Sequence, residues 1–412
     1  MLAQTNTETN IKLPFAFIFY SLVAFVLSQV MIIWRGADLL DGAFRQPVIW
    51  SAAHLLLLGW ALMAAMGSMY QLVPVAFLTP IWSEKFGFFQ FAVTSLGITV
   101  FSITLAWVPL YAYWGGILTL IGILLFLFQM WMTLKKQTEK SIITLFVGSA
   151  LFCLFVTIGL GILLALNISG FSILASDGLL KGHILLGLCG WFTLLIFGFS
   201  YKMAPMFSLA HGFQMELSRT VFGVYTAGLI LSFVSLFNTS HLLLSLGFLL
   251  LFVGFLLFSI HMRQVIQKRV KKKLDRPFVF SLIAIGFGLV IHLLAFIYAI
   301  AQPTPLAFIV LACAYIIGWI VFSLIGYLIK IVPFLWWTHR YSQQVGKENV
   351  PALKDMMDDR LIHPLLIILP VSFAGVIISF PIHSQSLFWT SQTIFTAGSV
   401  LFCYIIIMVL KK

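Results

Sequence analysis

The chain has 412 residues, 61% of them hydrophobic and 9% charged, with a net charge of +12. Its apolar runs are long enough to cross a hydrocarbon layer of about 30 Å many times over, which excludes a soluble domain, and their continuity excludes the alternating strands of a barrel. Only helices satisfy their own backbone polar groups in lipid, so the chain reads as an all-α, polytopic membrane protein with one membrane domain over 1-412.

Charges, prolines and short polar clusters divide the chain into twelve transmembrane spans, near 13-34, 47-74, 86-110, 112-134, 141-167, 181-206, 217-237, 241-262, 277-301, 305-334, 361-383 and 387-410. The first lacks a small-residue cleavage site and is too long for a leader core, so it is read as a retained helix. Basic residues fix the expected topology. With the N-terminus inside, the even-numbered loops and the C-terminus hold Lys135, Lys136, Lys140, the run RQVIQKRVKKKLDR (263-276), Arg340, Lys347, Lys354, Arg360, Lys411 and Lys412, whereas only Arg35, Arg45 and Lys181 fall outside. That asymmetry predicts a multi-pass protein of a bacterial-type cytoplasmic membrane with both termini cytoplasmic. The positive charge therefore calls for no nucleic acid; the 263-276 run suits anionic lipid, at about 1 kcal/mol per basic residue near a charged leaflet. Cys153, Cys189, Cys313 and Cys403 stand singly, so neither a disulfide framework nor a thiolate metal cage is indicated.

The second, sixth and tenth spans (47-74, 181-206 and 305-334) carry one pattern three times: GWALMAAMGSMYQLVP from Gly59, GWFTLLIFGFSYKMAP from Gly190 and GWIVFSLIGYLIKIVP from Gly318. Each is Gly-Trp, six residues, Gly, three residues, Gln or Lys, two residues, Pro. The blocks begin 131 and 128 positions apart, which implies three pseudo-threefold repeats of four helices. The two glycines lie nearly a whole number of turns apart, so one face of each helix admits a neighbouring helix or a ligand. Gln71, Lys202 and Lys330 share the position before the proline, where a lysine reaching the inner interface is ordinary.

Twelve spans, three four-helix repeats, inner termini and a histidine followed by Gly-Trp, small residues and Pro in the second span resemble the catalytic subunit of the haem-copper oxidase superfamily, which includes the cbb3-type oxidases and nitric oxide reductases. The residues carrying the local resemblance are His54, Gly59, Trp60, Gly67 and Pro74. It implies that His54 ligates a low-spin haem and that His183, in the sixth span, occupies the helix of a copper ligand. The seventh span lacks the family's adjacent histidines and the tenth, with LACAYIIGW, lacks its haem histidines, so a copper-containing oxygen-reducing centre is not expected. No Asp or Glu lies within a span to load a proton path.

Of the nine histidines, His241 and His383 fall at outer interfaces, His261 and His363 at inner ones, and His211 and His339 in inner loops. That leaves His54, His183 and His292 within the bilayer. His54 follows Arg45 by nine residues, about 14 Å along a helix, and His292 lies at a matching depth on the ninth span. Small residues flank both: Ala61, Ala65 and Ser68 below His54, and Gly288, Ala295 and Ala299 around His292. Two readings stay open. The pair could hold a b-type haem from separate helices, or each could be a core histidine bonded to a neighbouring carbonyl or hydroxyl. His183, with Gly187 and Gly190 on its face, could serve a second haem, a copper ion or nothing. Met63, Met66 and Met69 drift around their helix and read as core rather than a copper relay.

Three functions follow: a b-type haem protein of the respiratory chain, passing electrons to or from quinol or binding a diatomic gas such as nitric oxide; a haem-free transporter or assembly factor handling haem, copper or another small molecule; or a subunit that stabilises a respiratory complex.

Overall fold

The computed structural model describes residues 9-171, 177-238, 240-301 and 304-412. Twelve helices long and apolar enough to cross a membrane run in it: α1 Lys12–Asp41, α2 Pro47–Phe77, α3 Glu84–Trp107, α4 Pro109–Leu134, α5 Ile142–Ile168, α6 Asp177–Ser208, α7 Glu216–Asn238, α8 His241–Gln267, α9 Arg276–Ala301, α10 Leu306–Tyr341, α11 Asp359–Ser379 and α12 Gln385–Lys411. The chain is a multi-pass helical membrane protein. Each helix falls on one of the twelve expected spans. The largest departures are α1 and α10, each running seven residues past its expected end, to Asp41 and, through Pro333, to Tyr341.

Helices α6 and α2 are the most enclosed, and the glycine stripes explain how. A Cβ on Gly59 would stand 2.7 Å from that of Ala24, and one on Gly67 2.8 Å from the carbonyl of Pro14, so these glycines seat α2 against α1. Gly190 and Gly198 do the same for α6, against Cys153 and Phe146 of α5, and Gly326 seats α10 against Ser281 and Pro277 of α9. The space the glycines leave is therefore filled by the preceding helix, not by a ligand.

A feature that composition does not announce coincides with each Gly-Trp pair. Residues Leu55–Leu62 of α2, Leu186–Phe192 of α6 and Ala314–Val321 of α10 are π-helical. The wider turn changes the angular register of everything before it, which here includes His54 and His183, by part of a turn relative to an uninterrupted α-helix.

At the termini end, Lys330 meets Asp275, which also accepts from Lys271 at 2.7 Å, and the Lys330 ammonium lies 5.5 Å from the Phe207 ring centroid. The lysine before the third repeat proline is thus tied to the α8–α9 connection. Partial burial alone would raise the Asp275 carboxyl, but the two ammonium groups outweigh it and hold it below its ordinary 3.8. A depressed carboxyl contributes stability that is complete above its unfolded value and is lost as pH falls through the folded one. Melting temperature against pH should therefore drop more steeply below about pH 4 for wild type than for Asp275→Asn, where the ion pair is already absent. Parallel curves would contradict this.

Candidate functional site

In the half of the bundle opposite the termini, a cavity of about 350 Å³ opens between α2, α4, α5 and α6 and extends toward α1, α10, α11 and α12. Its wall is mainly Leu, Ile, Phe and Ala, with His54, His183, Thr119, Thr157, Gln29 and Gln392 among the polar exceptions. The threonine hydroxyls are spoken for, Thr119 donating to Gly115 O at 2.9 Å and Thr157 to Cys153 O at 2.7 Å.

His54 is the last residue before the π-helical segment of α2. Its Nδ1 lies 2.7 Å from the Trp50 carbonyl oxygen, one turn earlier, and the edge of Phe101 meets its ring at 5.2 Å. On α6, His183 reaches α5, where its Nδ1 lies 2.9 Å from the Thr157 carbonyl oxygen. A carbonyl can only accept, so each Nδ1 carries the proton. Neither Nε2 has a hydrogen-bond partner among the described residues. The two imidazole centroids are 6.1 Å apart, with ring planes 29° from parallel.

Gly161, one turn beyond Thr157, makes the His183 pose sterically available, because a Cβ there would stand 2.9 Å from His183 Cε1. Gly187 lines the cavity as its position on the His183 face suggests, whereas Gly190 packs on Cys153.

His292 is not in this cavity. Its Nδ1 bonds the Gly288 carbonyl at 2.7 Å, and its Nε2 lies 3.3 Å from the Tyr225 hydroxyl and 3.4 Å from that of Tyr315. Phe255 covers the ring at 4.2 Å, and Phe255 and Trp319 occupy the space above Gly288. Tyr315 in turn pairs with the Thr193 hydroxyl at 2.7 Å, which also accepts from Trp319 Nε1 at 3.0 Å. The structure therefore brings His54 to His183 and leaves His292 in a separate, side-chain-filled compartment with both ring nitrogens engaged. Removing this ring leaves a void beside Phe255 and takes one partner from the Tyr225 and Tyr315 hydroxyls, which keep Cys189 O at 3.2 Å and Thr193 Oγ1 at 2.7 Å as acceptors. His292→Ala should cost about 3 kcal/mol of stability, read as a fall in melting temperature, with no change in any visible absorption of the protein.

His261, expected at the inner interface, is enclosed by protein. It is buried, with Nε2 donating to Gln214 O at 2.9 Å and Nδ1 accepting from Tyr201 at 3.2 Å, because the segment after α6 folds over it. Met63, Met66 and Met69 are core residues at most 1% exposed. Among the described residues, no three His, Cys, Asp or Glu side chains gather closely enough to enclose a metal ion.

No family model matches the chain, and no curated protein matches it in sequence. The fold does match. A haem-copper terminal oxidase, solved by cryo-electron microscopy as a dimer, superposes with a TM-score of 0.61 over 98% of this chain and 85% of the oxidase chain, at 11% identity. At that identity the likeness is one of architecture: the chain shares the fold of that terminal-oxidase chain.

Proposed function

We propose that this oxidase-like scaffold holds one b-type haem between His54 and His183 and serves membrane electron transfer, without a copper-oxygen centre. The observation that carries the reading is the pairing itself. Two imidazoles from different helices face one apolar cavity, each with Nδ1 anchored on a carbonyl and Nε2 unpartnered. Anchoring of this kind is what orients a metal-binding histidine and raises its basicity. The two rings stand 6.1 Å apart, close enough for His54 and His183 to hold one group together.

The donor set favours haem over a bare ion. A bare ion asks for three or four protein ligands, and two imidazoles without a third nearby donor fall short of that. A macrocycle supplies four nitrogens itself and needs only axial partners. When bound, such a group supplies one-electron redox chemistry. The residues of the chain do the rest: His54 and His183 would hold the group, the Trp50 and Thr157 carbonyls fix their tautomers, and the apolar wall would keep water out. With both histidines engaged on one haem, electron transfer would be favoured over binding of a diatomic gas. The absence of histidine from α7 and from the bilayer portion of α10 argues against oxygen reduction.

The basic loops favour an orientation with both termini in the cytoplasm of a bacterial inner membrane, so the histidine pair lies in the outer half. In that orientation Lys268, Arg269, Lys272 and Lys273 face anionic lipid, and quinol or another respiratory-chain component is the electron partner. The test is an optical spectrum of protein purified from haem-sufficient cells. A Soret band and a sharp reduced α-band are expected; their absence would overturn the proposal.

A further inference from the structure

We infer that the Gln29–Gln392 pair forms a second ligand station in the same cavity, for an uncharged, lipid-soluble molecule whose head carries a hydroxyl group. The two amides come from α1 and α12, helices that carry neither histidine, and both line the cavity while being only 2% and 4% exposed. Burying two amides in an apolar wall is costly unless their hydrogen bonds are met.

They are met in one direction only. The Ser28 hydroxyl donates to Phe25 O at 2.7 Å, so its oxygen is left to accept, and Gln29 Nε2 donates to it at 3.1 Å. That fixes Gln29 Oε1 toward Gln392, whose Nε2 donates to it at 3.0 Å. The chain of donors ends at Gln392 Oε1, to which no hydrogen bond runs among the described residues. A polarised acceptor at the end of such a chain, on a buried residue that lines the cavity, matches an O–H donor on a ligand. Among the described residues no Lys, Arg, Asp or Glu lines the cavity, which selects against a charged head, and its Phe, Leu and Ile walls suit a hydrocarbon body.

The inference stands apart from the haem reading, since it uses neither histidine. Its test compares para-dodecylphenol with its methyl ether, which keeps the shape and loses the donor. Binding of each to the purified full-length protein is measured by quenching of tryptophan fluorescence at one detergent concentration, and wild type is compared with Gln392→Leu so that partition into detergent cancels. A single hydrogen bond of about 0.5–1.5 kcal/mol predicts that wild type prefers the phenol over the ether by about 2- to 12-fold more than Gln392→Leu does. Equal preference in wild type and variant overturns the inference. Gln392→Met, similar in length, takes the place of the leucine variant if that one does not fold. The Soret band is recorded in the same samples. Loss of the hydroxyl preference with the band intact supports the station, and an absent band throughout counts against the haem alone while the phenol comparison still decides the amide pair.

Discussion

His54→Ala and His183→Ala should each abolish the low-spin spectrum of the purified protein, while His292→Ala keeps it in full. The single variants leave one axial imidazole, so any haem they retain is five-coordinate and its reduced form binds carbon monoxide, which a doubly ligated iron resists. The double variant should copurify with no haem. The contrast with His292 is informative because all three histidines lie within membrane helices and all three donate Nδ1 to a backbone carbonyl. They differ in what meets Nε2: open cavity for His54 and His183, two tyrosine hydroxyls for His292. A spectrum lost in all three variants alike would point to general unfolding, and one lost only with His292 would refute the pairing.

The second large effect is expected from a residue that touches no cofactor. Gly161→Val puts branched carbon where Gly161 now leaves His183 Cε1 its room, with the first added atom already 2.9 Å from the ring. The imidazole must turn away, which breaks its bond to Thr157 O and misdirects Nε2. Loss of an orienting contact of this kind typically costs 10- to 100-fold in metal affinity, so haem content per chain should fall at least tenfold. Gly161→Ala should give a smaller loss. On a lipid-exposed helix face the same change is nearly silent, and Gly148 and Gly159, with open space at the Cβ position, supply that control on the same helix. Full haem content in Gly161→Val would place the His183 ring elsewhere.

Much of the architecture was legible in residue order because lipid imposes a simple rule: apolar stretches of bilayer length become helices, and each expected span coincides with an observed one. The glycine stripes were legible as close-approach faces, though whether a helix or a ligand approached was not, since that depends on which neighbour turns its small residues the same way. The histidines were legible as candidates and not as a pair. Depth counted along a straight helix put His54 beside His292, but level is only one coordinate; rotation about the helix axis decides which compartment a side chain enters. The π-helical turns at Leu55–Leu62 and Leu186–Phe192 alter that rotation, and no residue type announces them. Nor does the sequence say that Phe255 and Trp319 fill the space beside His292 while Gly161, Gly187 and Thr157 leave room beside His183. His261 escaped notice because its burial comes from a loop folding back, a contact made through the Gln214 backbone carbonyl.

The central claim is that one iron sits between His54 and His183. Low-temperature electron paramagnetic resonance of the air-oxidised, purified protein tests it most directly. A rhombic low-spin ferric signal of two-imidazole ligation is expected, integrating to about one spin per chain and missing from both His54→Ala and His183→Ala. A predominantly axial high-spin signal, or no ferric haem signal in protein made with haem in supply, would contradict it.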